Sequence, residues 1–65
     1  MIINFNKKFY NLRAIKRTVK AYQNLAEFDI KEKKEYIKVK INKIDKEVKD
    51  IIKDEFCNYA LAISR

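Results

Sequence analysis

Residues 36–42 read Tyr-Ile-Lys-Val-Lys-Ile-Asn, and this stretch decides the fold. Apolar and polar side chains alternate along it, which is the pattern of a β-strand with one covered face. Immediately upstream, residues 28–31 read Phe-Asp-Ile-Lys and alternate in the same way. The charged residues 31–35 contain no Gly, Asn or Asp, which disfavours a tight two-residue hairpin. We therefore predict two strands joined by a looser turn of about four or five residues.

Residues 1–9 show a similar pattern, with apolar side chains mostly at odd positions and Lys7 as the break in it. This predicts a first strand over residues 1–9. Asn11 can then cap a helix, and Tyr10 and Ile15 are spaced as a hydrophobic staple around that cap. An apolar stripe at spacings of three and four predicts a first helix of about four turns. The members of this stripe are Leu12, Ile15, Val19, Tyr22 and Ala26.

A second helix is predicted after the strands, with Asp45 as its N-cap. Its apolar stripe consists of Val48, Ile52, Phe56, Tyr59 and Ile63. Cys57 and Leu61 point roughly 100–200° away from the centre of this stripe. A helix that is apolar on two sides can contact the core with one side and a partner with the other. We therefore expect Cys57 and Leu61 to form part of a partner-binding surface. The alternative is that the first helix wraps around Leu61.

The order strand, helix, strand, strand, helix predicts an α+β domain, a two-layer β-α-β-β-α module spanning residues 1–65. A right-handed crossover with the third strand between the other two gives the sheet order 1-3-2, with two helices on one face of a three-stranded sheet. This is a ferredoxin-like fold lacking its last strand. The missing strand would have paired with the edge of the first strand.

We therefore expect the first strand to present an unpaired edge, and we expect Ile3, Phe5 and Lys7 to be partner-binding residues along it. A peptide or a second subunit can add a strand to such an edge. The alternative is a short edge that is shielded by its own side chains.

The composition restricts the chemistry of the chain, because its 65 residues include no His, no Gly and a single Cys. Zinc and iron–sulfur sites need several Cys or His ligands, and phosphate-cradling loops need glycines. The nearest acidic neighbours of Cys57 in the sequence, Asp54 and Glu55, are expected on the helix surface rather than as a base held in a pocket with the thiol. Cys57 is most simply read as a reduced, buried small hydrophobic residue. We predict no catalytic residue, no cofactor-binding residue and no metal ligand, so the chain is not expected to be an enzyme.

The small size of the chain predicts a partner. A core of this size rarely supplies more than roughly 3–5 kcal/mol, and a lone Cys57 cannot form an internal disulfide. A second chain, identical or different, is the remaining source of stability. No apolar run approaches the roughly 20 residues that span a bilayer, and residues 1–7 are too short and polar for a signal peptide. We therefore expect a cytoplasmic protein that does not bind membranes.

The positive charge is concentrated in the N-terminal part of the chain. The formal net charge is +7, and residues 1–26 contain six basic residues and no acidic one. Four of them fall at spacings of three, one and three on the first helix, opposite its apolar stripe. This basic face consists of Arg13, Lys16, Arg17 and Lys20. Such a face attracts phosphate backbones, acidic proteins or acidic peptides. The alternative is that the chain is encoded by AT-rich DNA, which would place lysine on any solvated face. The thirteen lysines, ten isoleucines and six asparagines of the chain indicate such a bias.

The segment from Tyr10 to Thr18 resembles a known family. In the small HxsD-like proteins a strand leads through a Tyr-x-Leu-x-Ala-[IV]-x-x-[AT] segment into the first helix. Here those positions hold Tyr10, Leu12, Ala14, Ile15 and Thr18. Residues 55–58, Glu-Phe-Cys-Asn, are similar to the Glu-Phe-x-Asn stretch in the last helix of that family. The resemblance covers nearly the whole chain, but the charged turn lacks the Asp/Gly turn usual in the family and the chain is more basic.

The resemblance implies an accessory role in maturing a ribosomally made peptide, as in the His-Xaa-Ser systems. In that role a radical S-adenosylmethionine (SAM) enzyme carries the iron–sulfur cluster and does the chemistry. The expected partners are then this maturase and a precursor peptide, with Cys57 and Leu61 docking the enzyme and either the first strand or the basic face holding the peptide. Two alternatives remain open, namely a small nucleic-acid-binding protein and a self-associating homodimer.

Overall fold

The structure, a computed structural model, describes residues 1–64. Its main elements are β1 (Ile2–Asn6), α1 (Leu12–Tyr22), β2 (Glu27–Glu32), β3 (Tyr36–Asn42) and α2 (Ile52–Ser64), with a 3₁₀ helix at Lys46–Val48. This is an α+β module of the order β-α-β-β-α. The described residues form one sheet in the order β1-β3-β2, in which β3 is antiparallel to both neighbours. The predicted fold class and strand order are therefore confirmed.

One face of the sheet is covered by the helices. The alternating apolar residues Ile37, Val39 and Ile41 of β3 are buried, and Ile3 and Phe5 of β1 lie on the same face. The helices complete this core with buried residues of their own, which are Ala14, Ile15 and Thr18 from α1 and Ile52, Phe56 and Ala60 from α2. The period-2 strands and the 3.6-period helices thus meet in the two layers that the sequence predicts.

Phe56 is fully buried at the centre of this core. Its ring centroid lies 5.8 Å from that of Phe5 on β1, 5.2 Å from that of Phe28 on β2 and 5.9 Å from that of Tyr22 on α1. These separations are within the range of favourable aromatic pairs. One side chain of α2 therefore contacts both outer strands and the other helix.

The first strand is shorter than the alternation predicts, because it ends at Asn6. The backbone carbonyl of Asn6 accepts hydrogen bonds from the N–H groups of Phe9 and Tyr10, and its side-chain oxygen accepts one from the N–H of Lys8. This local turn competes with the sheet for the same backbone groups. As a result Phe9 is 64% exposed, and Tyr10 packs edge-on against Phe5 at 4.8 Å instead. The predicted continuation of the strand through residue 9 is wrong.

The first helix begins as predicted. Asn11 is its N-cap, and the side-chain oxygen of Asn11 accepts a 2.7 Å hydrogen bond from the N–H of Ala14. The helix ends at Tyr22, so Ala26 is buried but lies outside it. The deepest side chains of α1 include Thr18, whose hydroxyl donates to the carbonyl of Ala14. Small buried residues at these positions fit a close approach of α1 to α2.

The second helix begins later than predicted. Asp45 caps the short 3₁₀ helix, where its side-chain oxygen accepts from the N–H of Glu47, and α2 starts only at Ile52. The N–H of Asp45 is bonded to the carbonyl of Leu25 at 2.8 Å, which keeps this residue beside the sheet. The chain must then rise to the helix layer before α2 can start. Within α2, Ala60 is fully buried whereas Tyr59 is 39% exposed, so the predicted stripe is wrong at Tyr59.

We predict that Phe56→Ala removes most of the stability of the domain. Loss of a buried Phe costs about 3–5 kcal/mol, which is close to the whole contribution of a core of this size. Urea unfolding followed by far-ultraviolet circular dichroism measures the change. Phe9→Ala is the control, because an exposed Phe should change the free energy of unfolding by no more than about 0.5 kcal/mol. Equal effects of the two substitutions would contradict the central role of Phe56.

Candidate partner-binding site

The outer side of β1 is unpaired within the described residues. The terminal ammonium group of Met1 donates a hydrogen bond to the carbonyl of Ile41, and the N–H of Ile41 donates one to the carbonyl of Met1. At the other end of β1, the N–H of Lys7 donates to the carbonyl of Glu35 at 3.1 Å. In antiparallel pairs, residues alternate between those that bond the partner strand and those that do not. The odd residues of this segment therefore bond β3. The N–H and C=O groups of Ile2 and Asn4 and the N–H of Asn6 point outward instead, and we call these groups the β1 edge.

The residues that we expected along this edge have other roles. Ile3 and Phe5 are 8% and 2% exposed, because their side chains lie in the core and their peptide groups bond β3. The ammonium group of Lys7 forms a 2.8 Å ion pair with Glu32. The prediction of an open edge agrees with the sheet order, but Ile3, Phe5 and Lys7 are not the residues that face it.

A signal for the correct residues was present in the sequence. In a strand of L-residues, the face that a side chain occupies fixes the side to which its peptide groups point. In the strand order 1-3-2, the helices cover the face that holds the odd-numbered side chains of the first strand. The peptide groups of the odd residues must then bond the third strand, and those of the even residues must point away from the sheet. Ile2, Asn4 and Asn6 are all exposed, as this geometry requires.

Cys57 and Leu61 lie together on one flank of α2. Tyr59 faces α1, since its ring centroid is 5.7 Å from that of Tyr22. On a helical wheel Cys57 and Leu61 both lie about 160° from Tyr59, which puts them on the side turned away from α1. Both side chains are half-buried, and Cys57 packs partly against the core. The second apolar side of α2 is therefore a narrow flank rather than a fully exposed face.

The core ring of α2 lies between the two outer strands of the sheet. The ring centroid of Phe56 is 5.8 Å from that of Phe5 on β1 and 5.2 Å from that of Phe28 on β2. Helix α2 therefore packs across the sheet rather than above β1 alone.

The thiol of Cys57 is not activated by its surroundings. Burial raises the pKa of the Cys57 thiol, with smaller and opposing effects from Lys53, which lowers it, and Asp54, which raises it. A reactive cysteine needs a lowered pKa instead.

All four residues of the α1 basic face are exposed. Together with Leu12 they line a shallow hollow of about 430 Å³. A second hollow, of about 360 Å³, continues from Arg17 and Lys20 to Ala21 and Tyr59. Within residues 1–64, none of the four cations has an ion-pair partner. Like charges at spacings of three and four destabilise a helix. Repulsion among these four cations therefore lowers the stability of α1, and an anionic partner would reduce that repulsion.

The open face of the sheet carries mixed charges. A small hollow of about 140 Å³ there is lined by Ile2, Asp29, Lys31, Lys38 and Lys40. In the register of the sheet, Lys40 is the neighbour of Ile2 and Lys38 is the neighbour of Asn4. On the other side Lys40 is the neighbour of Asp29 and Lys38 is the neighbour of Lys31, so Lys40 lies between Ile2 and an acidic residue.

Among residues 1–64, no group of three or more His, Cys, Asp or Glu side chains is placed to hold a metal ion. The helices of this part of the chain are also too short or too polar to cross a membrane. Comparison of the chain with protein-family models, with curated proteins and with solved structures found no match.

We expect Lys16→Glu to raise the free energy of unfolding by about 0.5–1 kcal/mol at low salt. The substitution replaces repulsion from Arg13 and Lys20 with attraction, and the gain should shrink in 1 M NaCl because salt screens exposed charges. Urea titrations at the two salt concentrations measure both effects. Lys34→Glu, which makes the same charge change in the turn before β3, controls for net charge. A loss of stability in Lys16→Glu would show that the face is not repulsive.

Cys57 should react with iodoacetamide more slowly in the folded protein than in the urea-unfolded chain. A raised pKa means less thiolate at any given pH near 8, and partial burial limits access to the sulfur. Mass spectrometry of timed samples gives the two rates. Faster reaction in the folded state would indicate an activated thiol and would reopen a catalytic role for Cys57.

Proposed function

We propose that this chain is a non-catalytic accessory subunit that holds a ribosomally synthesised precursor peptide for a radical SAM enzyme. The observation that carries the proposal is the β1 edge, an unpaired strand at the position where a complete ferredoxin-like fold has its fourth strand. The resemblance of residues 10–18 and 55–58 to HxsD-like proteins supports the choice of partners. The cluster and SAM belong to the enzyme, and this chain contributes no cofactor.

An unfolded precursor peptide is suited to such an edge. It can take the extended form and bond the outward groups of Ile2, Asn4 and Asn6 by strand addition. Each of these hydrogen bonds contributes a net 0.5–1.5 kcal/mol or so, and ordering of the peptide offsets part of that total. The edge alone therefore gives weak binding, which allows a modified product to leave.

The α1 basic face gives a second contact, and we assign it to an acidic surface of the enzyme. Its cations are exposed and unpaired among the described residues, and the exposed Tyr59 adds an aromatic side chain beside them. The face lies on the helix layer and points away from the sheet, so a peptide on the β1 edge leaves it free. We place the complex in the cytoplasm, where an unpaired Cys57 stays reduced.

Nucleic-acid binding is a second candidate, favoured by the same unpaired cations. Phosphate-driven affinity falls steeply with ionic strength, so salt separates this candidate from strand addition. Self-association through the β1 edge is a third candidate, and it would make thermal stability depend on protein concentration.

The proposal predicts what co-purifies with the tagged chain from the organism that encodes it, after nuclease treatment and a moderate salt wash. We expect mass spectrometry to identify a cluster-containing radical SAM enzyme and a small precursor peptide. Asn4→Pro should lose the peptide and keep the enzyme, because proline removes an outward N–H without removing a bond to β3. Asn4→Ala, which keeps that N–H, is the matched control. Neutralising all four residues of the α1 basic face should lose the enzyme.

Other results would contradict the proposal. Recovery of neither partner, with nucleic acid present before nuclease treatment and lost at high salt, would assign the α1 basic face to nucleic acid. A melting temperature that rises with protein concentration in the wild type but not in Asn4→Pro would assign the β1 edge to a second copy of the chain.

A further inference from the structure

The cations of the α1 basic face lie along a groove on the surface of the helix. Residues four apart on a helix form inclined rows, and a groove separates neighbouring rows. The two rows here are Leu12, Lys16 and Lys20 on one side and Arg13, Arg17 and Ala21 on the other. The hollow of about 430 Å³ is lined by residues of both rows, and the hollow of about 360 Å³ continues between them to Tyr59 of α2. The two hollows therefore follow one groove, which we call the α1 groove.

The cations flank this groove in two pairs. Arg13 and Lys16 are three residues apart, and Arg17 and Lys20 repeat that pair four residues later. The rise from the first pair to the second is about 6 Å. All four side chains are exposed, and none has an ion-pair partner within residues 1–64. Each pair can therefore hold one carboxylate between an arginine and a lysine.

The groove becomes apolar beyond the second pair of cations. Ala21 is exposed there, and Tyr59 lies beside it with 39% of its surface exposed and its ring edge-on to that of Tyr22. Tyrosine and arginine are enriched among the residues that contribute most to the affinity of protein interfaces. An apolar side chain of a partner can cover Ala21 and the ring of Tyr59.

We propose that the α1 groove docks a short acidic helix of the enzyme, with two carboxylates four residues apart and an apolar residue one turn beyond them. This inference rests on the proposed function and specifies the surface of the enzyme that the accessory subunit contacts. A row of side chains four apart on the partner helix fits the groove between two such rows of α1, and the helix axes then cross at about 50°. The axes diverge on either side of the crossing, so the contact is short. Arg13 to Lys20 likewise spans only about two turns.

The backbone of α1 favours a helix over an extended acidic segment as the occupant. Apart from its ends, α1 bonds its own N–H and C=O groups, so this face offers an extended segment no backbone partners. Such a segment would lose water from its peptide groups without replacing those hydrogen bonds, whereas a helix bonds its peptide groups internally. An extended precursor peptide therefore suits the β1 edge, and a helix suits the α1 groove.

The far end of the groove limits a longer polyanion such as a nucleic acid. Burial raises the pKa of the Tyr22 hydroxyl, and the nearby carboxylate of Glu55 raises it further. Glu55 is one turn from Tyr59 on α2, and its backbone carbonyl accepts a hydrogen bond of 3.5 Å from the Tyr22 hydroxyl. A carboxylate is therefore close to the point where the basic face ends. It would repel a phosphate backbone that continued past the second pair of cations.

Two synthetic peptides of identical composition test the inference. Each is a stapled helix of about 15 residues, built from alanine and glutamine with two glutamates and one leucine. In the aligned peptide the glutamates are four residues apart and the leucine follows four residues later, whereas in the scattered peptide the three side chains are spread around the helix. Fluorescence anisotropy with the full chain at low salt measures both affinities. We expect the aligned peptide to bind about tenfold more tightly, because only its side chains can all enter the groove at once.

Substitutions test each part of the groove. Arg17→Glu should abolish the preference for the aligned peptide, because Arg17 lines both hollows. Lys34→Glu makes the same change of charge at an exposed residue of the turn before β3 and should keep the preference. Circular dichroism checks folding, and if Arg17→Glu unfolds the domain then Arg17→Gln, which only removes the charge, gives the same comparison.

A third peptide tests the apolar end of the groove. In it, glutamine replaces the leucine of the aligned peptide. The wild type should bind this peptide more weakly than the aligned peptide, and Tyr59→Ala should bind the two equally, because the leucine then has no ring to cover. A preference for leucine that Tyr59→Ala leaves unchanged would contradict the proposed contact.

The outcomes distinguish this inference from the proposed function. If Arg17→Glu loses the co-purifying enzyme but the aligned and scattered peptides bind equally, or neither binds, the face contacts an acidic surface that is not such a helix, and only the inference fails. If no co-purifying enzyme depends on Arg17 but the aligned peptide is preferred, the groove docks an acidic helix of a different protein, and the assignment to the enzyme fails. If Arg17→Glu changes neither the enzyme nor the peptides, both fail. A thymidine oligonucleotide that displaces the aligned peptide, and that Arg17→Glu no longer binds, would assign the groove to nucleic acid.

Discussion

The contacts of Phe56 hold the domain together. One ring on α2 lies within 6 Å, centroid to centroid, of aromatic rings on β1, β2 and α1. Aromatic pairs of this kind contribute about 0.5–1.5 kcal/mol beyond the area that they bury. In a chain without glycine, with a single cysteine and with no described metal cluster, this is a large part of the available stability. The position of α2 over the sheet depends on it.

The strand order determines what the edge of the sheet can do. A three-stranded sheet with two helices on one face has covered its core but has left β1 unpaired. The outward peptide groups of Ile2 and Asn4 therefore keep free hydrogen-bonding capacity within the described residues, which is what strand addition requires.

The α1 basic face is a second surface, distinct from the β1 edge. The cations of α1 repel one another along the helix and have no acidic neighbour within residues 1–26. Lys7 and Glu32 are different, because they form an ion pair across one end of the sheet and so belong to the fold. The four cations of the α1 basic face thus form one cluster of unpaired charge on the helix layer.

The sequence by itself determined the elements and their order. The alternation in residues 36–42, the cap at Asn11 and the apolar stripes are local patterns, and backbone geometry converts them directly into strands and helices. Local patterns also gave the strand order, because a right-handed crossover leaves few alternatives. They did not give the end of β1 at Asn6, where a turn competes with the sheet for the same carbonyl, or the late start of α2, which depends on the bond from Asp45 to Leu25. Nor did they place Tyr59 beside Tyr22 of α1. Only the tertiary structure decided these points, because they are set by contacts between residues that are far apart in the chain.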